Sequence, residues 1–302
     1  TGRTAAAARG GCIGEDGKMT QKLDLDYLRQ WIGRSEEKTD EVTAHLVAGL
    51  RSVLFLDIGA PREGDAAPFA MHWCLSPPVV PMSDVGPDGH PKRGGFLPPV
   101  PLPRRMWAGG EINFIEPMRV GDTVTRTSTI NDVTVKTGST GTLCFVAIDH
   151  SFATQHGLAV RERQDIVYRN MPKEAKNAAP TMPAPAPTPQ NRETHVADPV
   201  LLFRYSALTF NSHRIHYDRD YATRIEGYSG LIVHGPLQAS LLIEFGAKLH
   251  GGKAPKIFTY RGLQPLFDGS EFSVNASAAG DSMELWTANA AGMPTMKGTA
   301  TW

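Results

Sequence analysis

Asn211, His213, His216 and Asp218 fall within eight consecutive positions. An imidazole titrates near neutrality, at about 6.5 when unperturbed, so His216 or His213 could pass a proton to or from a reacting group. Asn211 cannot exchange a proton, but its amide both donates and accepts hydrogen bonds, which suits it to hold a water. His213, His216 and Asp218 are also metal-ligand types at short spacing. Nothing nearby completes a recognised coordination pattern, so no metal is expected. Just downstream, Val233-His234-Gly235-Pro236 opens an apolar segment. The first N–H groups of a helix lack partners and sit at the positive end of its dipole, so the Gly235 backbone N–H could hold an oxyanion. Asp218 reads as a structural acceptor, and His234 as a residue orienting the turn.

The elements that must position these groups follow from pattern. Pro236 suits a first helical position, and Leu237, Leu241, Phe245 and Leu249 recur every four residues. Ala239, Leu242, Ile243 and Gly246 fill the other side, so a buried helix is expected, ended by Gly251-Gly252. Glu244 and Lys248 stand four apart as an expected surface pair. Strands are expected near Ile257–Leu263, Glu271–Ser277, Met283–Ala290 and Thr295–Trp302, and a short one at Leu201–Tyr205.

The chain has 302 residues, room for two domains, and a formal net charge of zero, which points to neither nucleic acid nor a membrane surface as partner. No apolar run approaches the roughly 20 residues of a membrane span. Cys12, Cys74 and Cys144 are widely spaced without a CxxC, which fits a reducing cytoplasm.

Residues 1–19 read as a disordered leader. A first helix is expected from Leu23 to Gly33, and a second with Thr39 or Asp40 as cap and Val42, Leu46, Leu50 and Leu54 on one face. Pro61 to Pro103 is a long Pro/Gly-rich excursion, of the length that usually carries function. Strands follow at Gly110–Phe114, Asp122–Asn131, Thr142–Phe152 and Glu162–Tyr168, with Lys136–Gly141 as a hairpin turn. Residues 171–199 are Pro/Ala-rich and read as a linker between a domain at 20–170 and another at 200–302. Gly110 to Gly121 is echoed by Gly262 to Gly269, each with a Pro four residues before a turn Gly and an aromatic, Trp107 or Tyr260, just upstream. With the linker, this implies a tandem duplication whose halves pack together.

Phe210-Asn211, His216-Tyr217-Asp218, Tyr221-Ala222 and Ile232-Val233-His234-Gly235 together resemble the hydratase motif of MaoC-like enoyl-CoA hydratases and 3-hydroxyacyl-thioester dehydratases. The form is similar to the double-hotdog branch that includes mesaconyl-CoA and itaconyl-CoA hydratases. The resemblance implies an α+β fold, a tandem (double) hotdog in which antiparallel sheets each wrap a helix. It implies His216 as catalytic base and Gly235 N–H as donor to the thioester oxygen. The family's catalytic Asp falls on Asn211, and the sequence has His213 close by. His216 is therefore expected to do the proton work, with Asn211 holding the water and His213 in reserve as second acid–base group.

No cofactor is implied, and an acyl-CoA is the expected partner, with a homodimer in keeping with the fold. A dicarboxylic acyl group such as mesaconyl-CoA would need a cation for its free carboxylate. Arg214 ranks first for that role, with His234 as a further substrate contact; Arg224 and Arg104-Arg105 follow. Alternatives are a 3-hydroxyacyl-ACP dehydratase of fatty-acid synthesis and a non-catalytic acyl-CoA-binding protein. Thioesterases share the hotdog fold, and the pairing of His216 with His234-Gly235 argues against one.

Overall fold

The computed structural model describes residues 23–138, 141–170 and 188–302. The expected leader, the tip of the hairpin turn and most of the expected linker lie outside the described residues. Ten antiparallel strands form one continuous sheet. They are β1 (Ser35–Glu41), β2 (Arg104–Phe114), β3 (Thr123–Gly138), β4 (Gly141–Thr154) and β5 (Gly157–Arg169), then β6 (Asn191–Val196), β7 (Ile257–Gly262), β8 (Glu271–Ala279), β9 (Ser282–Asn289) and β10 (Pro294–Thr301). Their order across the sheet is β1-β3-β4-β5-β2-β7-β10-β9-β8-β6. Numbered within each half, both halves read first-third-fourth-fifth-second outward to inward, so the second half repeats the first about the β2–β7 seam. The echoed segments begin on these two seam strands, where Gly110 lies opposite Tyr260. The Trp107 and Tyr260 rings stack across the seam with centroids 4.3 Å apart.

The helices are α1 (Leu25–Arg29), α2 (Ala44–Val53), α3 (Pro199–Leu208) and α4 (Gly235–Leu249). Most of α4 is buried, from Leu237 through Ile243 and again at Phe245. It packs Leu241 and Leu242 into a core that takes Phe272, Val274 and Ala276 from β8 and Leu285 from β9. The first half has α2 where the second has α3, and the two pack so closely that a Cβ on Gly49 would lie 2.6 Å from a Leu208 methyl. Among the described residues the first half has no counterpart of α4. Between α2 and β2 runs the Pro/Gly-rich chain, with only short 3-10 turns at Met71–Cys74 and Met82–Asp84.

Four local expectations are corrected. Ser35–Glu41 is an edge strand with an alternating burial pattern, and the cap of α2 is Thr43, whose side chain accepts from Leu46 N. Polar residues on an edge strand discourage pairing with another chain, which is why this segment carries little strand signal of its own. Leu201–Tyr205 is helical rather than extended, because Asp198 caps the Leu201 N–H at 2.7 Å and Pro199 is preset for the first turn. The stretch read as linker already contains β6 and that cap. Glu244 and Lys248 do not pair: Glu244 is half-buried and accepts from Phe69 N at 2.8 Å, whereas Lys248 reaches Glu193 at 2.6 Å.

Candidate active site

The polar cluster sits between α3 and α4. After α3 the chain reverses through Phe210, which takes a left-handed φ of 48°. The Asn211 N–H then bonds Ser206 O at 2.8 Å, and Asn211 Oδ1 accepts from His213 N at 3.0 Å. A single 3-10 turn, Arg214–His216, carries the motif inward. His216 is buried, with Nδ1 2.8 Å from the Ile232 carbonyl. A carbonyl only accepts, so Nδ1 carries the proton and Nε2 keeps a free lone pair, the tautomer a base requires. Burial pushes this imidazole down to about 4, so it is neutral at physiological pH.

His234 caps α4 and stacks on His216 with centroids 3.6 Å apart. Its Nε2 bonds the Ser206 hydroxyl at 2.8 Å, and its buried Nδ1 has no partner among the described residues. Burial, then the neighbouring His216, holds it well below its ordinary value. Gly235 opens α4, and the Trp107 indole lies against it so closely that a Cβ there would meet Cε3 at 2.7 Å. Only glycine leaves its backbone N–H in place beneath that ring. Pro236, the next residue, lines a cavity of about 560 Å³.

The second half lines this cavity through Phe203, Tyr205, Ser206, Phe210 and Asn211, and the first half through Trp73, His90, Trp107 and Arg126 among others. His90 is a residue that sequence reasoning missed. It comes from the long excursion, which is fastened to the Asn211–Asp218 segment by close backbone contact. Arg214 N bonds Asp88 O at 2.9 Å, the Ser212 hydroxyl bonds Gly89 O, and any Cβ on Gly89 would collide with Ser212 O. The His90 ring thereby lies 4.1 Å from that of His213, with Nδ1 3.0 Å from Asp88 Oδ2. Burial, then the charge of Arg105, brings His90 down to about 4. Burial opposes ionisation of Asp88, but bonding and charge from His90 hold its carboxyl low. His213 is pushed down by burial and by His90 and His216 on either side. The Asp88-Gly89-His90 spacing was the available signal, obscured by a loop with no periodicity.

Asp88, His90 and His213 each bring one ligand-type atom within 4.8 Å of the others. Because His90 Nδ1 already engages Asp88, the arrangement is that of a hydrogen-bonded acid–base pair. Asp218 stands apart, bonded to the Arg214 guanidinium at 2.7 Å and 3.0 Å. Arg214 also donates to Pro87 O and lies over the Tyr221 ring, so it fastens the loop and does not line the cavity. Arg104 is bound to Glu226 at 3.0 Å, and Arg224 is solvent-exposed beside Asp220.

Two like half-sheets joined at a seam and one long buried helix packed on the second define the double-hotdog class. Residues 70–268 match the family described as hydroxyacyl-thioester dehydratase type 2. The chain is 43% identical over 263 residues to the mesaconyl-C(4)-CoA hydratase of Chloroflexus aurantiacus, covering 84% of this chain and 90% of that one. A MaoC-like dehydratase from Phytophthora capsici superimposes with a TM-score of 0.67 at 16% identity, covering 93% of this chain and 98% of the other. A conserved Mycobacterium tuberculosis protein with a double hotdog fold gives 0.52 at 13% identity, covering 89% and 95%. At such identities these two structures show the fold. The protein belongs to the hydroxyacyl-thioester dehydratase type 2 family of MaoC-like hydro-lyases.

Proposed function

We propose that the protein adds water across the carbon–carbon double bond of a dicarboxylic enoyl-CoA such as mesaconyl-CoA or itaconyl-CoA, or runs the reverse dehydration. The observation that carries the proposal is His216 held through Nδ1 by the Ile232 carbonyl and stacked on the cap of α4, which leaves Nε2 free, with the Gly235 N–H that opens α4 unpaired among the described residues. The likeness to a mesaconyl-C(4)-CoA hydratase supports the acyl class.

His216 Nε2 takes a proton from water as its oxygen attacks the β-carbon. The π electrons move through the α-carbon onto the thioester oxygen, where the Gly235 N–H stabilises the charge; one such donor is typically worth about 10²–10³ in rate. The enolate then collapses, and the α-carbon receives the proton from His216, giving syn addition. Asn211, whose Oδ1 is engaged by His213 N, offers its Nδ2 to the water. His213, backed by the His90–Asp88 pair, is the reserve acid–base group. His234 fixes the helix start, and the proposal leaves Arg214 to the loop. One unit, residues 20–170, covers the acyl group, and the other, residues 200–302, supplies the base and the oxyanion donor.

Loss of enoyl-thioester absorbance with mesaconyl-CoA, itaconyl-CoA and crotonyl-CoA tests the activity, and absence of turnover on all three would overturn it. The proposal includes a cytoplasmic homodimer. The buried Cys74 and Cys144 are free thiols, as a reducing compartment requires, and no helix among the described residues is long and apolar enough to cross a membrane. Sedimentation would check the dimer. Dehydration of a 3-hydroxyacyl-ACP would use the same groups in reverse, and the family match gives that second reading its support.

A further inference from the structure

With no α4 counterpart among the described residues of the first half, part of its sheet faces the cavity. On the second half's sheet, Phe272, Val274 and Ala276 of β8 lie in the core with α4. The first half instead presents Arg126, His150, Glu162 and Gln164 to the cavity, on β3, β4 and β5. Cross-strand register fixes them on one face: Ser128 lies opposite His150, His150 opposite Glu162, and Arg126 opposite Phe152. A wall built for an aliphatic tail would not carry a half-buried guanidinium, because withdrawing a charge from water is costly.

The charges in this wall are unequally satisfied. Glu162 is fully engaged: the Trp73 indole N–H lies 3.1 Å from both oxygens, the Tyr260 hydroxyl donates to Oε1 at 3.0 Å, and His72 Nε2 is 3.5 Å from Oε2. His150 Nδ1 bonds the Ser128 hydroxyl at 2.7 Å. Arg126 is different. Its one hydrogen bond among the described residues is from Nη2 to Glu36 at 3.3 Å, and its buried Nε has no partner. The side chain is 16% exposed and lines the cavity, so donors without a protein partner among the described residues are available to a ligand there. A guanidinium with free N–H groups in a cavity matches a carboxylate bidentately.

We propose that Arg126, flanked by His150 and Gln164, is the subsite for the free carboxylate at the end of the acyl group. Asn211 of the second half lines the same cavity, so the thioester end of the acyl group would lie toward α4 and its carboxylate toward the first half's sheet. This rests on the cavity being the acyl site. It also gives the first half a role in specificity, which the arginines of the catalytic motif do not fill.

The test compares wild type, Arg126→Gln, Arg126→Lys and Glu36→Gln on mesaconyl-CoA and crotonyl-CoA, whose acyl end is a methyl group. Losing a charged hydrogen bond is expected to lower kcat/KM on mesaconyl-CoA by about 10–100-fold in Arg126→Gln, mainly through KM, and to change crotonyl-CoA by less than about threefold. Arg126→Lys should recover part of the loss, and Glu36→Gln should keep the wild-type preference. Equal losses on both substrates, no loss on either, or the same loss in Glu36→Gln would overturn the subsite. Inhibition by succinyl-CoA against butyryl-CoA separates binding from turnover. If wild type hydrates neither substrate, the hydratase proposal fails, while a succinyl-CoA preference that Arg126→Gln abolishes would still establish the subsite. If succinyl-CoA binds no better than butyryl-CoA, the subsite fails and the hydratase chemistry stands.

Discussion

The imidazole rings of His216 and His234 lie face to face, with centroids 3.6 Å apart and planes 17° from parallel. Two cations cannot share that stack in a buried site, so both rings are held neutral. One is fixed by the Ile232 carbonyl and the other by the Ser206 hydroxyl. The neutral pair leaves His216 Nε2 at the start of α4 with its lone pair free, as the proposed base requires.

This sets the pH dependence. His216 and His90 have folded-state values of about 4, below the ordinary value for histidine. At pH 7 the base is unprotonated, and the acid limb of kcat/KM is expected near pH 4–5. A limb centred at 6–7 would show that the ring is solvated. Stability should follow the same sign. Between about 6.5 and 4 the unfolded chain binds protons that the folded chain refuses, so the Tm is expected to fall as pH drops through that window. Circular dichroism melts recorded at each pH would separate lost activity from lost fold.

Gly235 and Trp107 make a second prediction. A Cβ at position 235 would press into the indole at 2.7 Å, displacing either the ring or the helix start. Gly235→Ala is expected to lower kcat by about 10–100-fold, part of what complete loss of an oxyanion donor costs. Adding Trp107→Phe, which shortens the ring, should restore some of it. Wild-type kcat in Gly235→Ala would mean that this N–H does not touch the thioester oxygen.

In the proposed mechanism Asn211, His213 and His90 divide the remaining chemistry. With Asn211 holding the water, Asn211→Ala is expected to lower kcat by about tenfold or more, and His213→Ala and His90→Ala by less. Full activity in Asn211→Ala beside an inactive His213→Ala would transfer the second role to the histidines. Asp88→Asn, which keeps a hydrogen bond but removes the charge, would then show whether His90 acts through His213.

Much of this was legible because the strongest signals were local. The four-residue apolar recurrence of α4, the strand runs of both halves and the paired Pro/Gly echoes each depend on neighbours in sequence. Ser35–Glu41 was missed because its strand character comes from pairing with Thr123–Thr129, far along the chain. Leu201–Tyr205 was misread because an apolar run of that length fits either element until Asp198 is recognised as a cap. In the site, His216 and Gly235 stood in one short stretch of sequence, at motif spacing. His90 and Arg126 did not: one lies in an aperiodic loop and the other in a Thr-rich strand, and only the fold brings them to the cavity.

Glu244 carries a stability prediction. Burial raises its carboxyl to about 7, against the bond from Phe69 N. The folded state therefore favours the protonated form, and stability is lost as pH rises from the unfolded value through 7. Glu244→Gln, which can still accept from Phe69 N, is expected to be neutral at pH 5 and to stabilise at pH 8 by an amount of order 3 kcal/mol. Denaturant melts at the two pH values check this, and equal effects at both would contradict it.

The most direct measurement is the rate of enoyl-thioester absorbance loss with mesaconyl-CoA for wild type and His216→Ala. The variant should fold, bind CoA esters and lose about 10²–10⁴-fold in kcat, as expected for removal of a positioned base. A His216→Ala protein that hydrates the substrate at the wild-type rate would contradict the assignment of the base.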